Sequence, residues 1–146
     1  MGGRPRRNAE DSVSGSLIVV DSSAWIEYQR ATGSLVHRAL RRLLLERARI
    51  AVTEVIVMEV LAGTIRPREA IAIGGFEVLP LRGLADFEHA AALYRTCRAA
   101  GDAIRELTDC LIAVPTIRAG ATLLHADRDF DVLARHTPLR LEPLVA

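Results

Sequence analysis

The chain contains no lysine: all nineteen basic residues are arginine. A GC-rich genome, which favours arginine codons, accounts for this usage, and arginine's planar fork also suits phosphate contacts; the two readings are compatible. Eighteen acids oppose them for a net charge of +1, so bulk charge marks the chain neither as a strong nucleic-acid binder nor as the reverse. Cysteine is scarce. Cys97 and Cys110 stand thirteen apart with no CxxC pattern, which excludes a disulfide framework and fits reduced core or helix thiols in a cytoplasmic protein. His37, His89, His125 and His136 are scattered without metal-ligand spacing, arguing against a zinc site. No apolar run approaches the ~18 residues of a membrane span. Internal repeats are also lacking.

What is present is one domain's worth of chain. With 146 residues, half of them hydrophobic and a quarter charged, it can bury a real core without disulfide or metal staples. Residues 1–15 read as a disordered basic and polar tail, or as a start placed too far upstream, and residues 16–146 as a single domain. The apolar run after the tail, Leu17–Val20, is only four residues long and ends in Asp21, which is not the pattern of a secretory signal.

From there strand and helix patterns alternate. Leu17–Val20 predicts a first strand, and Ser22 or Ser23 a cap for a helix carrying Trp25, Ile26 and Tyr28. Gly33 breaks that helix, and apolar residues from Leu35 to Leu44 recur at helical spacing. Ile50–Val52 reads as a second strand, with Thr53 capping a helix that Gly63 closes. A short apolar piece follows Pro67. Phe76–Leu81 reads as a third strand, Asp86–Ala100 as a helix ending at Gly101, and Leu107–Ala119 as another ending at Gly120. Ala121–Leu124 is a fourth strand, Asp127–Arg135 a helix and Leu139–Leu141 an edge strand. Strands separated by helices imply a parallel sheet covered on both faces. In such sheets the ligand site lies at the carboxyl ends of the strands, where Asp21 and Asp127 both fall.

Two further acids interrupt apolar faces: Glu59 in VIVMEVL and Asp109 in LTDCLIAV. Singly, each has an ordinary explanation: a cap, a surface position, a helix N-terminus or a buried salt bridge. Together they are harder to dismiss, because a doubly wound sheet brings all four toward one place. Two carboxylates ~5 Å apart repel by about 3 kcal/mol at an effective dielectric near 20. No lysine or histidine is placed to neutralise four of them. A divalent cation would, and all-oxygen ligands select Mg²⁺ or Mn²⁺ over zinc. Such centres commonly act on phosphate esters.

The blocks 17-LIVVDSSAW-25, 58-MEVLAG-63, 108-TDCLIA-113 and 123-LLHADRDFD-131, in this order, resemble the PIN-domain ribonucleases, specifically the VapC-type toxins of bacterial toxin–antitoxin pairs. The resemblance covers residues 17–142. It implies a three-layer α/β/α fold with a central, mainly parallel sheet, and Mg²⁺-dependent endoribonuclease activity in which Mn²⁺ can substitute. The family's four acids fall on Asp21, Glu59, Asp109 and Asp127, as metal ligands and catalytic residues, and its small hydroxyl residue after the first acid on Ser22. Structured RNA of the tRNA or rRNA class, cleaved by metal-activated water, a VapB-type antitoxin and a homodimer are the implied substrate and partners.

Other residues carry weaker expectations. Asp129 is a candidate fifth acid, though capping or solvating the last helix is the preferred reading. Arg105 and Arg128 are candidates to position RNA phosphates, or to pair with neighbouring acids. His125 stands beside the fourth acid, where relatives carry Thr or Ser, and Trp25 and Tyr28 are expected to pack in the core. Pro115 falls inside the helix carrying Asp109, where relatives have a small residue, and its lost hydrogen bond predicts a kink beyond the first two turns. It keeps open an alternative: a catalytically weakened PIN-fold protein serving as an RNA- or protein-binding module. A Mg²⁺-dependent phosphatase would place a second acid two residues after Asp21, and residue 23 is serine.

Overall fold

A computed structural model describes residues 16–63 and 75–145. Five strands alternate with helices: β1 (Ile18–Val20), α1 (Ser22–Gln29), α2 (Leu35–Leu45), β2 (Ile50–Thr53), α3 (Glu54–Ala62), β3 (Glu77–Leu79), α4 (Leu84–Ala99), α5 (Leu107–Arg118), β4 (Thr122–Leu124), α6 (Arg128–His136) and β5 (Arg140–Leu141). The expected tail and the apolar piece after Pro67 lie outside the described residues.

The strands form one sheet in the order β3-β2-β1-β4-β5, with every pairing parallel. In register, Ile18 pairs with Ile50 on one side and with Thr122 on the other. All residues of β1 and β2 are buried. An unbroken aliphatic run of this kind suits a strand covered on both faces, whereas a strand with one wet face alternates. The chain builds outward from β1 to β3, then returns to lay β4 and β5 on the other side. The order therefore reverses at β1–β4, and a crevice opens beyond their carboxyl ends. Val19, Val20, Leu123 and Leu124 are wholly buried behind it, with Phe130 and Leu133 from α6 and Ile112 from α5.

Sequence and structure differ at several boundaries. The first helix is capped by Asp21, whose carboxylate accepts from the Ser23 backbone N–H, and not by Ser22 or Ser23. The third strand is shorter than expected and mostly exposed, as befits the sheet edge. Helix α4 begins two residues early because Gly83, at φ +69°, supplies the turn without a capping side chain. Thr53 and Gly63 bound α3 as expected, and Gly101 and Gly120 follow α4 and α5 with the positive φ that closes a helix. Helix α5 runs unbroken through Pro115, which is buried with its neighbours Val114 and Thr116. Trp25 packs in the core, 4% exposed, its indole N–H donating to the Val20 carbonyl.

Candidate metal centre

Each acid is delivered to the crevice by a different element. Asp21 ends β1 and caps α1, which fixes its carboxylate over the strand end. Its Oδ2 accepts from the Ser23 backbone N–H at 3.0 Å and the Ser23 hydroxyl at 2.6 Å, while Ser23 Oγ in turn accepts from the Ala126 backbone N–H at 2.9 Å. That serine ties the end of β1 to the loop after β4. Asp127 caps α6, accepting from the Asp129 N–H. Asp109 lies in the first turn of α5, where the helix dipole favours a negative charge. Glu59 is half-buried on α3, and Ser22 Oγ donates to its Oε1 at 3.3 Å.

These acids lie near enough to act on one another's charge. Burial, then the charges of Asp127, Asp21, Asp129 and Glu59, push the Asp109 carboxyl up to about 9. Glu59 rises to about 7 through burial and the charges of Asp21 and Asp127, with Glu106 contributing. Burial likewise raises Asp21, against the hydrogen bonds from Ser23. Oxygens of Asp109, Asp127 and Asp129 lie within 4.8 Å of one another. Asp21 Oδ1 and Asp109 Oδ2 are buried with no hydrogen-bond partner among the described residues. Buried acceptors are nearly always satisfied, so two orphans within one acidic cluster are a specific demand for a cation. The donor set is hard oxygen throughout, the chemistry that Mg²⁺ and Mn²⁺ prefer. The residues fit a divalent ion of this class.

Asp129 neither caps α6, which Asp127 does, nor solvates it. Only 2% exposed, it accepts through Oδ2 from the backbone N–H groups of Arg105 and Glu106, at 3.0 and 2.9 Å, while Oδ1 faces Arg105 Nε at 3.8 Å. The loop before α5 is thereby fixed to the start of α6. At the helix's other end, Asp102 holds Arg135 and His136, so the same loop is pinned at both ends. Arg105 is thus a neighbour of Asp129, whereas Arg128 is exposed and has no ion-pair partner among the described residues. His125 Nδ1 accepts from the Asp127 N–H, with Nε2 3.4 Å from Asp131. Sequence reasoning offered Ser23 only as a helix cap and assigned no role to Glu106. Their contributions depend on segments distant in the chain, although 106-ELTD-109 does put Glu106 one turn from Asp109.

The site is thus a group of carboxylates at the topological switch of a parallel α/β sheet, able to hold a divalent cation. The chain matches the PIN domain family over residues 18–136. It is 45% identical over 129 residues to the VapC ribonuclease Mb1587 of Mycobacterium bovis and, equally, to ribonuclease VapC11 of Mycobacterium tuberculosis, covering 85% of this chain and 96% of each relative. The protein belongs to the PIN domain family, in its VapC group. Its fold is shared with VapBC2 of Rickettsia felis bound to a promoter DNA fragment (TM-score 0.61, 17% identity, 86% of this chain and 97% of that one). VapBC-1 of nontypeable Haemophilus influenzae is similarly related (TM-score 0.60, 18% identity, 88% and 98%).

Proposed function

We propose that this protein is a Mg²⁺-dependent endoribonuclease, with Mn²⁺ able to substitute, acting as the toxin of a VapBC-type pair in the cytoplasm. The observation that carries the reading is the pair of buried oxygens, on Asp21 and Asp109, that have no hydrogen-bond partner among the described residues and sit with other carboxylates, where the nearest cation, Arg105, reaches only Asp129. The relatives at 45% identity bear the name of VapC ribonucleases, which supports the same activity here. The fold neighbours are VapBC complexes, which supports a VapB-type antitoxin as partner.

In this reading Asp21, Asp109 and Asp127 hold the ion, with Glu59 and Asp129 completing the acidic shell. When bound, the ion supplies charge neutralisation for the scissile phosphate and Lewis acidity toward an attacking water. The chain's own residues do the rest. Ser23 fixes the Asp21 carboxylate, and Asp129 fixes the loop that starts α5, so the ligands are held before substrate arrives. Glu59, a half-buried carboxylate that Ser22 orients, is placed to take a proton. Arg128 is placed to meet an RNA phosphate. The substrate is structured RNA of the tRNA or rRNA class, and the working unit a homodimer.

The test is cleavage of total tRNA and rRNA by purified, antitoxin-free protein, with ends mapped by sequencing. Discrete cuts that require Mg²⁺ or Mn²⁺ and vanish with EDTA are expected. Cleavage undiminished by EDTA would rule out the metal mechanism.

A further inference from the structure

Beside the acidic centre lies a separate cavity of about 510 Å³, between α6, the start of α2 and the chain following β5. Val36, Leu141 and Leu144 give it aliphatic walls, and His125, Arg128, Asp131 and Glu142 are among its polar residues. Asp127 lines it too, so the cavity and the candidate metal centre share a residue. A group seated here is therefore within one nucleotide of a phosphate at that centre.

Three observations say what such a group would be. Apolar walls around a volume of this size suit a flat, largely apolar ring, and unpaired RNA bases are bound in this way, splayed from the strand. Arg128, exposed and unpaired among the described residues, provides a cation for the attached phosphate. The two remaining carboxylates are not equivalent. Asp131 is engaged by His125 at 3.4 Å. Glu142 accepts the Thr122 hydroxyl at 2.6 Å through Oε2, which orients the side chain, while Oε1 has no partner among the described residues. An ionised carboxylate accepts only. It favours a base edge bearing an exocyclic amino group and opposes the two carbonyls of uracil.

Building on the ribonuclease reading, we infer that this cavity binds the unpaired nucleobase next to the scissile phosphate, with Arg128 on the phosphate and Glu142 selecting a base that carries an amino group. Glu142 is then a specificity-determining residue that takes no part in the chemistry.

The test uses the full chain without cation and carrying Asp109→Asn, which leaves every cavity residue in place. Titration with millimolar AMP, CMP or UMP is followed through methyl resonances of Val36, Leu124, Leu141 and Leu144. AMP and CMP should give saturable shifts at these methyls, and UMP should bind roughly tenfold more weakly, the factor for one charge-assisted hydrogen bond. Adding Glu142→Gln, which keeps an acceptor for Thr122 but offers an amide donor, should abolish the discrimination. Arg128→Gln should weaken all three nucleotides and leave cytidine, which lacks the phosphate, unchanged. No nucleotide-induced shift at these methyls would overturn the inference and leave the cavity to a peptide of a protein partner. Equal binding of UMP and CMP would overturn the role of Glu142. The nuclease reading fails separately: cation-independent cleavage by the unsubstituted protein, with nucleotide binding intact, would remove the metal mechanism and keep the cavity.

Discussion

Asp86 and Asp109 are equally buried, 4% exposed each, on two helices that pack together, α4 and α5, yet their chemistry is opposite. Asp86 accepts from the Arg118 guanidinium and, at 2.7 Å, from the Arg82 backbone N–H. Burial works to raise its carboxyl, but these partners outweigh burial and hold it below the usual range. Asp109 has no such partner for Oδ2 and faces other carboxylates, so burial and repulsion act in the same direction. A buried acid with its own cation is a structural tie between α4 and the end of α5. One without is, in the reading proposed above, a ligand for an ion from solution.

Substitution should separate the two most sharply. Asp109→Asn is expected to lower RNA cleavage on the order of 100-fold or more, since a ligand charge is lost. Cation-free stability should hold or rise, because the amide, unlike the Asp109 carboxylate, needs no proton to be buried among the other acids. Asp86→Ala should leave cleavage per folded molecule near normal. It should cost about 2–4 kcal/mol, the range for breaking a buried pair, moderated because Arg118 is 26% exposed and can reach water. Denaturant midpoints beside cleavage rates check both. If Asp109→Asn destabilised the protein as Asp86→Ala does, the two acids would share one structural role.

The pH dependence should also have opposite signs at the two places. Asp109, at about 9, and Glu59, at about 7, hold protons in the cation-free native state that the unfolded chain releases near the ordinary values of 3.8 and 4.5. Their stabilising effect is fully present below about pH 4 and is lost as pH rises through about 7 and then about 9. Asp86, with its carboxyl lowered, contributes stability above the ordinary carboxylate range that is lost in acid. Thermal melts in EDTA should therefore show stability falling from about pH 5 to about pH 9, and saturating Mg²⁺ should reverse that slope because ligands must be deprotonated to bind. In Asp109→Asn the cation-free slope should flatten; an unchanged slope would place its origin outside the cluster.

These two acids also mark what the sequence could tell. The fold was legible because it rests on local pattern: buried aliphatic runs at β1, β2 and β4, helical spacing from Leu35 to Leu44, and glycines after α4 and α5. Asp21, Glu59, Asp109 and Asp127 were legible because an acid at a strand end or on an apolar face contradicts that pattern. The role of Asp86 was not, because Arg118 lies 32 residues away and nothing local couples them. Ser23 was read only as a helix cap, and its bridging role was missed for the same reason, its bond to the Ala126 N–H spanning 103 residues. The start of α4 was missed because Gly83 turns the chain through its backbone, leaving no capping side chain to read.

Asp129 stands between the two cases, hydrogen-bonded like Asp86 yet grouped with Asp109 and Asp127. Asp129→Ala removes the acceptor for two backbone N–H groups and should cost about 1–3 kcal/mol. Asp129→Asn keeps an oxygen for them and should stay within about 1 kcal/mol of the parent. Mn²⁺ affinity by titration calorimetry decides the second role. A fall in the Asn variant comparable to that in Asp109→Asn makes Asp129 a ligand, whereas unchanged affinity confines it to fixing the loop.

The smallest effect should come from Ser23, which does for Asp21 with a hydroxyl what Arg118 does for Asp86 with a charge. A neutral donor cannot offset a buried carboxylate, which is why Asp21 stays raised while Asp86 is lowered. Ser23→Ala removes one donor to Asp21 Oδ2 but leaves the backbone N–H of residue 23 in place. It also frees the Ala126 N–H, and because Ala126 is exposed, water can replace the lost acceptor. The expected loss is therefore about 0.5–1.5 kcal/mol of stability. Cation affinity should fall by up to about tenfold, because the ligand is less firmly oriented. Ser23→Thr keeps the hydroxyl and should restore affinity. If alanine and threonine lowered affinity equally, bulk at the helix start would be the cause, and the hydroxyl bridge from Asp21 to the Ala126 N–H would play no part in holding the ion.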